Sequence, residues 1–149
     1  MSNFDIMSVC NNQFVIKSLV APLYSKPTFT SSKISEAVFG EIVQVNDVNE
    51  SWINIEQDDG YHSWIKGFYG TFEKTPMLCQ YIVVDRYPFP FGSRVQKTNG
   101  IYKTVNGDNY NYDREPIKIG EIVNIDELLI HARNLIGSPY RWGGKTSSG

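Results

Sequence analysis

Cysteine, histidine and long apolar runs are all scarce in this sequence. Its 149 residues include two cysteines and two histidines, too few for a disulfide framework or for a zinc site. The longest uncharged apolar run, around residues 81–84, is far shorter than the roughly 20 residues of a membrane-spanning helix. We therefore expect free thiols, no metal, no other cofactor and no membrane span.

Neither sign of charge dominates. Fourteen Lys and Arg stand against sixteen Asp and Glu, a formal net charge of −2, and no basic run is present. This balance predicts binding neither to nucleic acid nor to an anionic membrane surface. Residues 1–13 lack the basic and apolar segments of a secretion signal, so we expect a cytoplasmic location.

Short β-like runs separated by turn residues fill residues 14–65. The pair Asp59-Gly60 predicts a tight hairpin, and Ile53 and Ile55 should share its buried face. Two prolines in residues 21–27 favour an irregular arm there. The number and spacing of the runs predict a small SH3-like β-barrel over residues 14–72.

A similar order of runs and turns returns after residue 92 and predicts a second, degenerate SH3-like barrel over residues 76–125. Residues 70–76 lack a strong β pattern and are expected to be a linker. One helix is predicted to follow, with Asp126 as its N-cap and Gly137 as its stop. Its apolar stripe consists of Leu128, Leu129, Ala132, Leu135 and Ile136. The predicted fold class is therefore mainly β with a C-terminal helix.

The segment after that helix reads Gly137-Ser138-Pro139-Tyr140-Arg141-Trp142-Gly143-Gly144. It closely resembles the opening of the bacterial NlpC-type papain-like cysteine peptidase domain. In that family the opening leads into Asp-Cys-Ser-Gly, where the cysteine is the nucleophile. The resemblance implies that residues 126–149 are the first helix and turn of a truncated α+β papain-like domain, with the nucleophile and catalytic histidine beyond Gly149. No catalytic residue is assigned within the chain, and no activity is expected from it alone.

The remaining cysteines and histidines do not suggest a substitute catalytic pair. Cys10 and Cys79 do not open a helix after a turn, as a catalytic cysteine of this type does. His62 lies in a predicted strand and His131 on the predicted helix. We expect the thiols to be structural and the histidines to be packing or surface residues.

The front of the chain is similar to the bacterial SH3-like domains that precede such peptidases, in residues 20–24, 39–41 and 59–61. Enzymes of that architecture cut the γ-D-glutamyl to diamino acid bond of murein stem peptides and prefer a free N-terminal L-Ala. The resemblance implies that Tyr140 and Tyr61 contact the substrate. It makes Glu41 the candidate carboxylate for the substrate amine.

A different class of function stays open: a non-catalytic SH3-like module that binds a cell-wall peptide or a protein partner. Four aromatic residues either line a ligand groove or fill a small core: Tyr24, Trp52, Tyr61 and Trp64. The helix stripe would normally pack inside a peptidase domain. Here it should either cover a barrel face or form an exposed patch through which the chain self-associates.

Overall fold

The computed structural model describes residues 13–121 and 124–147. The prediction for Cys10 lies outside these ranges. Within them, the chain forms two antiparallel sheets followed by a helix. The prediction of a mainly β protein with a C-terminal helix is confirmed.

The first sheet has seven strands in the order β3-β2-β6-β5-β4-β1-β7. Their bounds are β1 Gln13–Ile16, β2 Val20–Tyr24, β3 Lys33–Val38, β4 Ile42–Asn49, β5 Trp52–Glu56, β6 His62–Lys66 and β7 Gly70–Glu73. A short 3-10 turn, Gly67–Tyr69, joins β6 to β7. The second sheet has four strands in the order β10-β9-β8-β11. Their bounds are β8 Tyr81–Ile82, β9 Arg94–Thr98, β10 Ile101–Lys103 and β11 Ile117–Lys118, and helix α1 spans Ile125–Arg133.

The first sheet encloses one apolar core to which strands β1 to β6 all contribute. Its buried members are Phe14, Ile16, Ala21, Leu23, Ala37, Val43, Val45, Ile53, Ile55 and Ile65. The predicted hairpin is confirmed: β5 pairs with β6 from Trp52 to Glu56, and Gly60 adopts a φ of +78° in the turn. Ile53 and Ile55 both lie in the core, as the alternating pattern requires.

The predicted barrel is not closed, because β3 and β7 are the two edges of the sheet and do not pair with each other. The pairing between β2 and β6, here called the β2–β6 seam, is also limited, since these strands pair only at Tyr24 and Trp64. Burial of the shared core therefore holds β1 to β6 together without a complete circle of backbone hydrogen bonds, and β7 is attached by its pairing with β1.

The expectation of an irregular arm at residues 21–27 is wrong at its start, because Pro22 lies inside strand β2. The carbonyl of Leu19 accepts a hydrogen bond from the Phe39 amide at 3.1 Å. Strand alternation then turns Pro22 away from β3, toward the side where β6 pairs only at Tyr24. The missing amide hydrogen of the proline thus interrupts no ladder.

The predicted linker begins with strand instead. Gly70–Glu73 forms β7 and pairs with β1 along four residues. A Cβ atom at Gly70 would collide with the carbonyl of Val15 and the ring of Phe14. Glycine is therefore required here for the two strands to approach.

The two sheets meet through a second buried cluster of Val15, Phe39, Cys79 and Val105. The rings of Phe39 and Phe89 stack across the junction at 4.7 Å. Farther out, Val83, Val95, Tyr102 and Tyr110 form the core of the second sheet. The four strands of this sheet lie within residues 76–125, although the predicted division into two SH3-like domains remains a prediction.

The predicted helix is present, with shifted ends. Its N-cap is Asn124 and not Asp126, because the Asn124 side chain accepts the Glu127 amide hydrogen at 2.9 Å. Regular helix ends at Arg133, and residues 134–137 continue as turns that close with Gly137 at a φ of +88°. Its apolar side chains are exposed, from 45% at Leu129 to 70% at Ile125. Of the two expected outcomes for the stripe, the structure has the exposed patch.

Among the described residues, no helix has the length and apolar character that crossing a bilayer requires.

Candidate functional site

Two turns of the first sheet bring the predicted Glu41 beside Gln57. Glu41 follows Gly40, whose φ of +83° reverses the chain between β3 and β4. Gln57 is buried at the start of the turn between β5 and β6. Its side-chain Nε2 donates to Glu41 Oε2 at 3.1 Å and to the Glu36 carbonyl at 3.2 Å. The glutamine therefore fixes the carboxylate of Glu41 against the sheet.

The end of the NlpC-like segment packs against the same place. Gly143 lies on the backbone of β3, where a Cβ would come within 2.9 Å of the Ile34 carbonyl carbon. The amide of Lys145 donates to Glu36 Oε2 at 3.0 Å. Lys145 Nζ donates to Gln57 Oε1 and to Asp59 Oδ2, each at 3.4 Å. Lys145 thus joins the cluster through both its backbone and its side chain.

A cavity of about 100 Å³ opens at this cluster, lined by Glu41, Gln57, Asp58, Asp59, Arg94 and Lys145 among others. The Glu41 carboxylate accepts two hydrogen bonds from described residues, both at Oε2, from Gln57 Nε2 and from the Val38 amide. The other oxygen, Oε1, lies 4.0 Å from the Arg94 guanidinium. Oε1 is therefore open to a further donor within the cavity.

Burial raises the pKa of Glu41 above its ordinary value, and it outweighs the opposing charges of Arg94 and Lys145 and the hydrogen bond from Gln57. Desolvation favours the neutral acid because it removes the water that would stabilise the anion. A cationic group entering the cavity would restore that stabilisation. The Glu41 carboxylate is thus a candidate partner for an ammonium group.

The two predicted tyrosines stand in different surroundings. Tyr61 belongs to the hairpin at the cluster: its amide donates to Asp59 Oδ1 at 3.1 Å, and its side chain is 49% exposed. Tyr140 is 86% exposed. The structure therefore gathers Glu41 and the Tyr61 hairpin at one cavity and leaves the Tyr140 ring in solvent.

Sequence reasoning missed Gln57, Arg94 and Lys145. Lys145 is 88 residues from Gln57 along the chain, so no local pattern relates them. One local feature could have indicated Gln57: it is a polar residue directly before the Asp58-Asp59-Gly60 turn. Such a residue lies at the end of a strand, where side chains can face a cavity.

Neither the described cysteine nor the histidines form an activated nucleophile. Cys79 is buried and free, and burial raises its pKa to about 11, so it remains a thiol near neutral pH. His62 is exposed and contacts Asn46 and Glu56. Across residues 13–121 and 124–147, no three acidic, cysteine or histidine side chains are grouped to hold a metal ion.

The fold resembles that of an NlpC/P60 family protein. The matching crystal structure is of a protein from Bacillus cereus ATCC 10987, with a TM-score of 0.62. The match covers 92% of this chain and 68% of the other, at 14% sequence identity, so the likeness concerns the fold. No protein-family model matches the sequence, and no curated protein matches it significantly.

Proposed function

We propose that this chain is the substrate-recognition part of a cell-wall peptide hydrolase, similar to the γ-D-glutamyl-L-diamino acid endopeptidases of murein peptide turnover or recycling. The observation that carries the proposal is the acidic cavity at Glu41, against which the NlpC-like segment is seated through Gly143 and Lys145. Two SH3-like units would shape the cleft. The resemblance of the fold to an NlpC/P60 family protein supports this assignment.

The ligand is a murein stem peptide with a free N-terminal L-Ala. Its ammonium group enters the cavity and donates to Glu41 Oε1, whose ion-pair contact with Arg94 is long, at 4.0 Å. Tyr61, whose amide donates to Asp59 of the cavity lining, contacts the peptide from the neighbouring hairpin. Tyr140, exposed on the NlpC-like segment, contacts the peptide farther along.

Cleavage is assigned to groups outside these 149 residues, in a papain-like domain that residues 126–149 begin. The raised pKa of Cys79 supports this division of labour, because a buried thiol is a poor nucleophile. Peptides released from the wall are expected to meet the protein in the cytoplasm. Neither nucleic acid nor membrane takes part.

Calorimetric titration with L-Ala-γ-D-Glu-diaminopimelate tests the proposal. The peptide should bind, and its N-acetylated form should not, since acetylation removes the ammonium charge. Glu41→Gln should weaken binding about tenfold, the value of one hydrogen bond to a charged group. Glu56→Gln, on the same sheet but away from the cavity, is the matched control and should bind normally. Equal binding of the free and acetylated peptides would contradict the role of Glu41.

Hydrolysis provides a separate check. The chain should bind this tripeptide without cleaving it, and cleavage by these residues alone would show that the nucleophile has been placed wrongly.

A second candidate function is a non-catalytic SH3-like module that binds a cell-wall peptide or protein partner. It is favoured by an aromatic cluster at the thin β2–β6 seam, where the rings of Tyr24, Phe29 and Trp52 lie 4.8 to 5.7 Å apart. Phe29 is more than half exposed. If Phe29→Ala abolishes tripeptide binding while Glu41→Gln does not, this second function replaces the first.

A further inference from the structure

Arg94 is a largely buried cation whose distances to the nearest carboxylates are long. Only 17% of its side chain is exposed, yet the nearest carboxylate oxygens, of Glu41 and Asp58, lie 4.0 and 3.9 Å from its guanidinium. A charge-assisted hydrogen bond is about 2.7–2.9 Å long. Within the described ranges, the guanidinium donates no hydrogen bond to another residue. Its five donors are thus held in a partly desolvated position with spare capacity.

The backbone that carries Arg94 is rigidly held. The Arg94 amide donates to the Phe39 carbonyl at 2.8 Å, and the Arg94 carbonyl packs directly on Gly40, where no Cβ would fit. The next residue, Val95, is fully buried. The base of the side chain is therefore fixed, and with only 17% of the side chain exposed the arginine has less rotamer freedom to lose on binding.

A cavity of about 360 Å³ lies between the two sheets, and Arg94 lines it. This volume suits a small ligand. The charged lining is positive on balance, with Arg94 and Lys118 against Asp58. Gln13 and Gln80 add polar groups, and Ile42, Leu78 and Ile119 add apolar surface. The cavity therefore combines a cationic end with walls that can hold a short carbon chain.

We propose that this inter-sheet cavity binds the carboxylate of a small organic ligand, held by both arms of the Arg94 guanidinium with Lys118 as a second cation. The planar fork of arginine matches the two oxygens of a carboxylate. A phosphate dianion fits less well, because it brings two negative charges to the guanidinium where a carboxylate brings one, and Glu41 and Asp58 already stand about 4 Å away.

The site goes beyond the proposed function because it recognises an anion, whereas Glu41 recognises an amine. The two cavities adjoin, sharing Ile42, Asp58 and Arg94 in their linings. A γ-linked glutamyl peptide leaves the α-carboxylate of its glutamate free, so one such peptide could reach both cavities. Binding of a simple carboxylate at Arg94 does not require this.

The test uses N-acetyl-D-glutamate, which has carboxylates and no ammonium group. Titration of the ¹⁵N-labelled protein, observed at the arginine Nε–H signals, should shift the Arg94 resonance saturably. Arg94→Lys keeps the charge but loses the fork, and should weaken binding about tenfold. Lys118→Gln should weaken it about threefold, whereas Lys26→Gln, a control on an exposed loop, should leave it unchanged.

Asp58→Asn supplies a variant whose effect has the opposite sign. The Asp58 side chain is 82% exposed, so its replacement leaves the fold intact, and loss of its charge should tighten N-acetyl-D-glutamate binding about twofold or more. A purely structural role for Arg94 would not produce this gain.

Failure of this site and failure of the proposed function give different results. Absence of an Arg94 shift, or equal affinity in the Asp58→Asn and parent proteins, would overturn the carboxylate site while leaving amine recognition by Glu41 standing. Inorganic phosphate that displaces N-acetyl-D-glutamate at equal concentration would overturn the choice of carboxylate. A tenfold loss of N-acetyl-D-glutamate binding in Glu41→Gln would assign the anion to the Glu41 cavity instead.

Discussion

The first sheet and the C-terminal helix differ in the solvent exposure of their apolar side chains. In the sheet, Ile55 and Ile65 are completely inaccessible to solvent, whereas on the helix Leu128 and Ile130 are more than half exposed. Both regions have a clear apolar pattern in sequence. The pattern identifies which side chains share a face, but burial also requires a neighbouring element, and the described part of the chain provides one only for the sheet.

The largest expected effect is on the sheet core. Ile55→Ala should lower the free energy of unfolding by about 2–5 kcal/mol, because it leaves a cavity in a fully packed site. Ile130→Ala, the same change on the helix, should alter it by less than about 0.5 kcal/mol. Urea denaturation followed by tryptophan fluorescence measures both. Similar losses for the two variants would mean that the helix is covered in solution.

The exposed stripe should make the chain self-associate, which is the next largest effect. Leu128→Glu adds a charge to the apolar face, so it should lower the association constant measured by sedimentation equilibrium about tenfold or more. Lys103→Glu changes a charge on the second sheet and serves as the control. A parent chain that stays monomeric at high concentration would show that the stripe is no self-association surface.

The smallest effect concerns Glu41, in the cluster where the sheet meets the segment after the helix. Because burial raises its pKa in the folded state, the folded protein binds a proton more tightly than the unfolded chain does. Stability should therefore fall as pH rises from the ordinary glutamate pKa through the raised one. Glu41→Gln should flatten this part of the profile in thermal melts between pH 4 and 8. A decline that is equally steep in the variant would assign the slope to another group.

Local signals predicted the elements whose causes are local. The Asp59-Gly60 turn located its hairpin, and alternation placed Ile53 and Ile55 in the core. The start of the helix was predicted two residues late, because Asn124 and Asp126 are both good caps and only the hydrogen bond to Glu127 distinguishes them. Pro22 was misread because its tolerance depends on which neighbour its strand pairs with.

The candidate site depended on contacts that no local pattern records. Glu41 was suggested by a family resemblance, and the hairpin beside it was predictable from its turn. Arg94 and Lys145 reach the same cluster from other parts of the chain, so only the folded structure relates them to it. The open edges of the first sheet were not predicted for the same reason. The number and spacing of strands in a sequence do not determine whether the two outermost strands of a sheet pair with each other.

The seating of Gly143 on strand β3 has a protective consequence. β3 is an edge of the seven-stranded sheet, and an edge with unpaired backbone groups invites strand addition by another molecule. Gly143 lies across Ile34 and Ser35 and so covers part of that edge. The hydrogen bond from the Lys145 amide to the Glu36 carboxylate holds the segment in this position. The segment around Gly143 and Lys145 thus leaves less of the β3 edge available for strand addition.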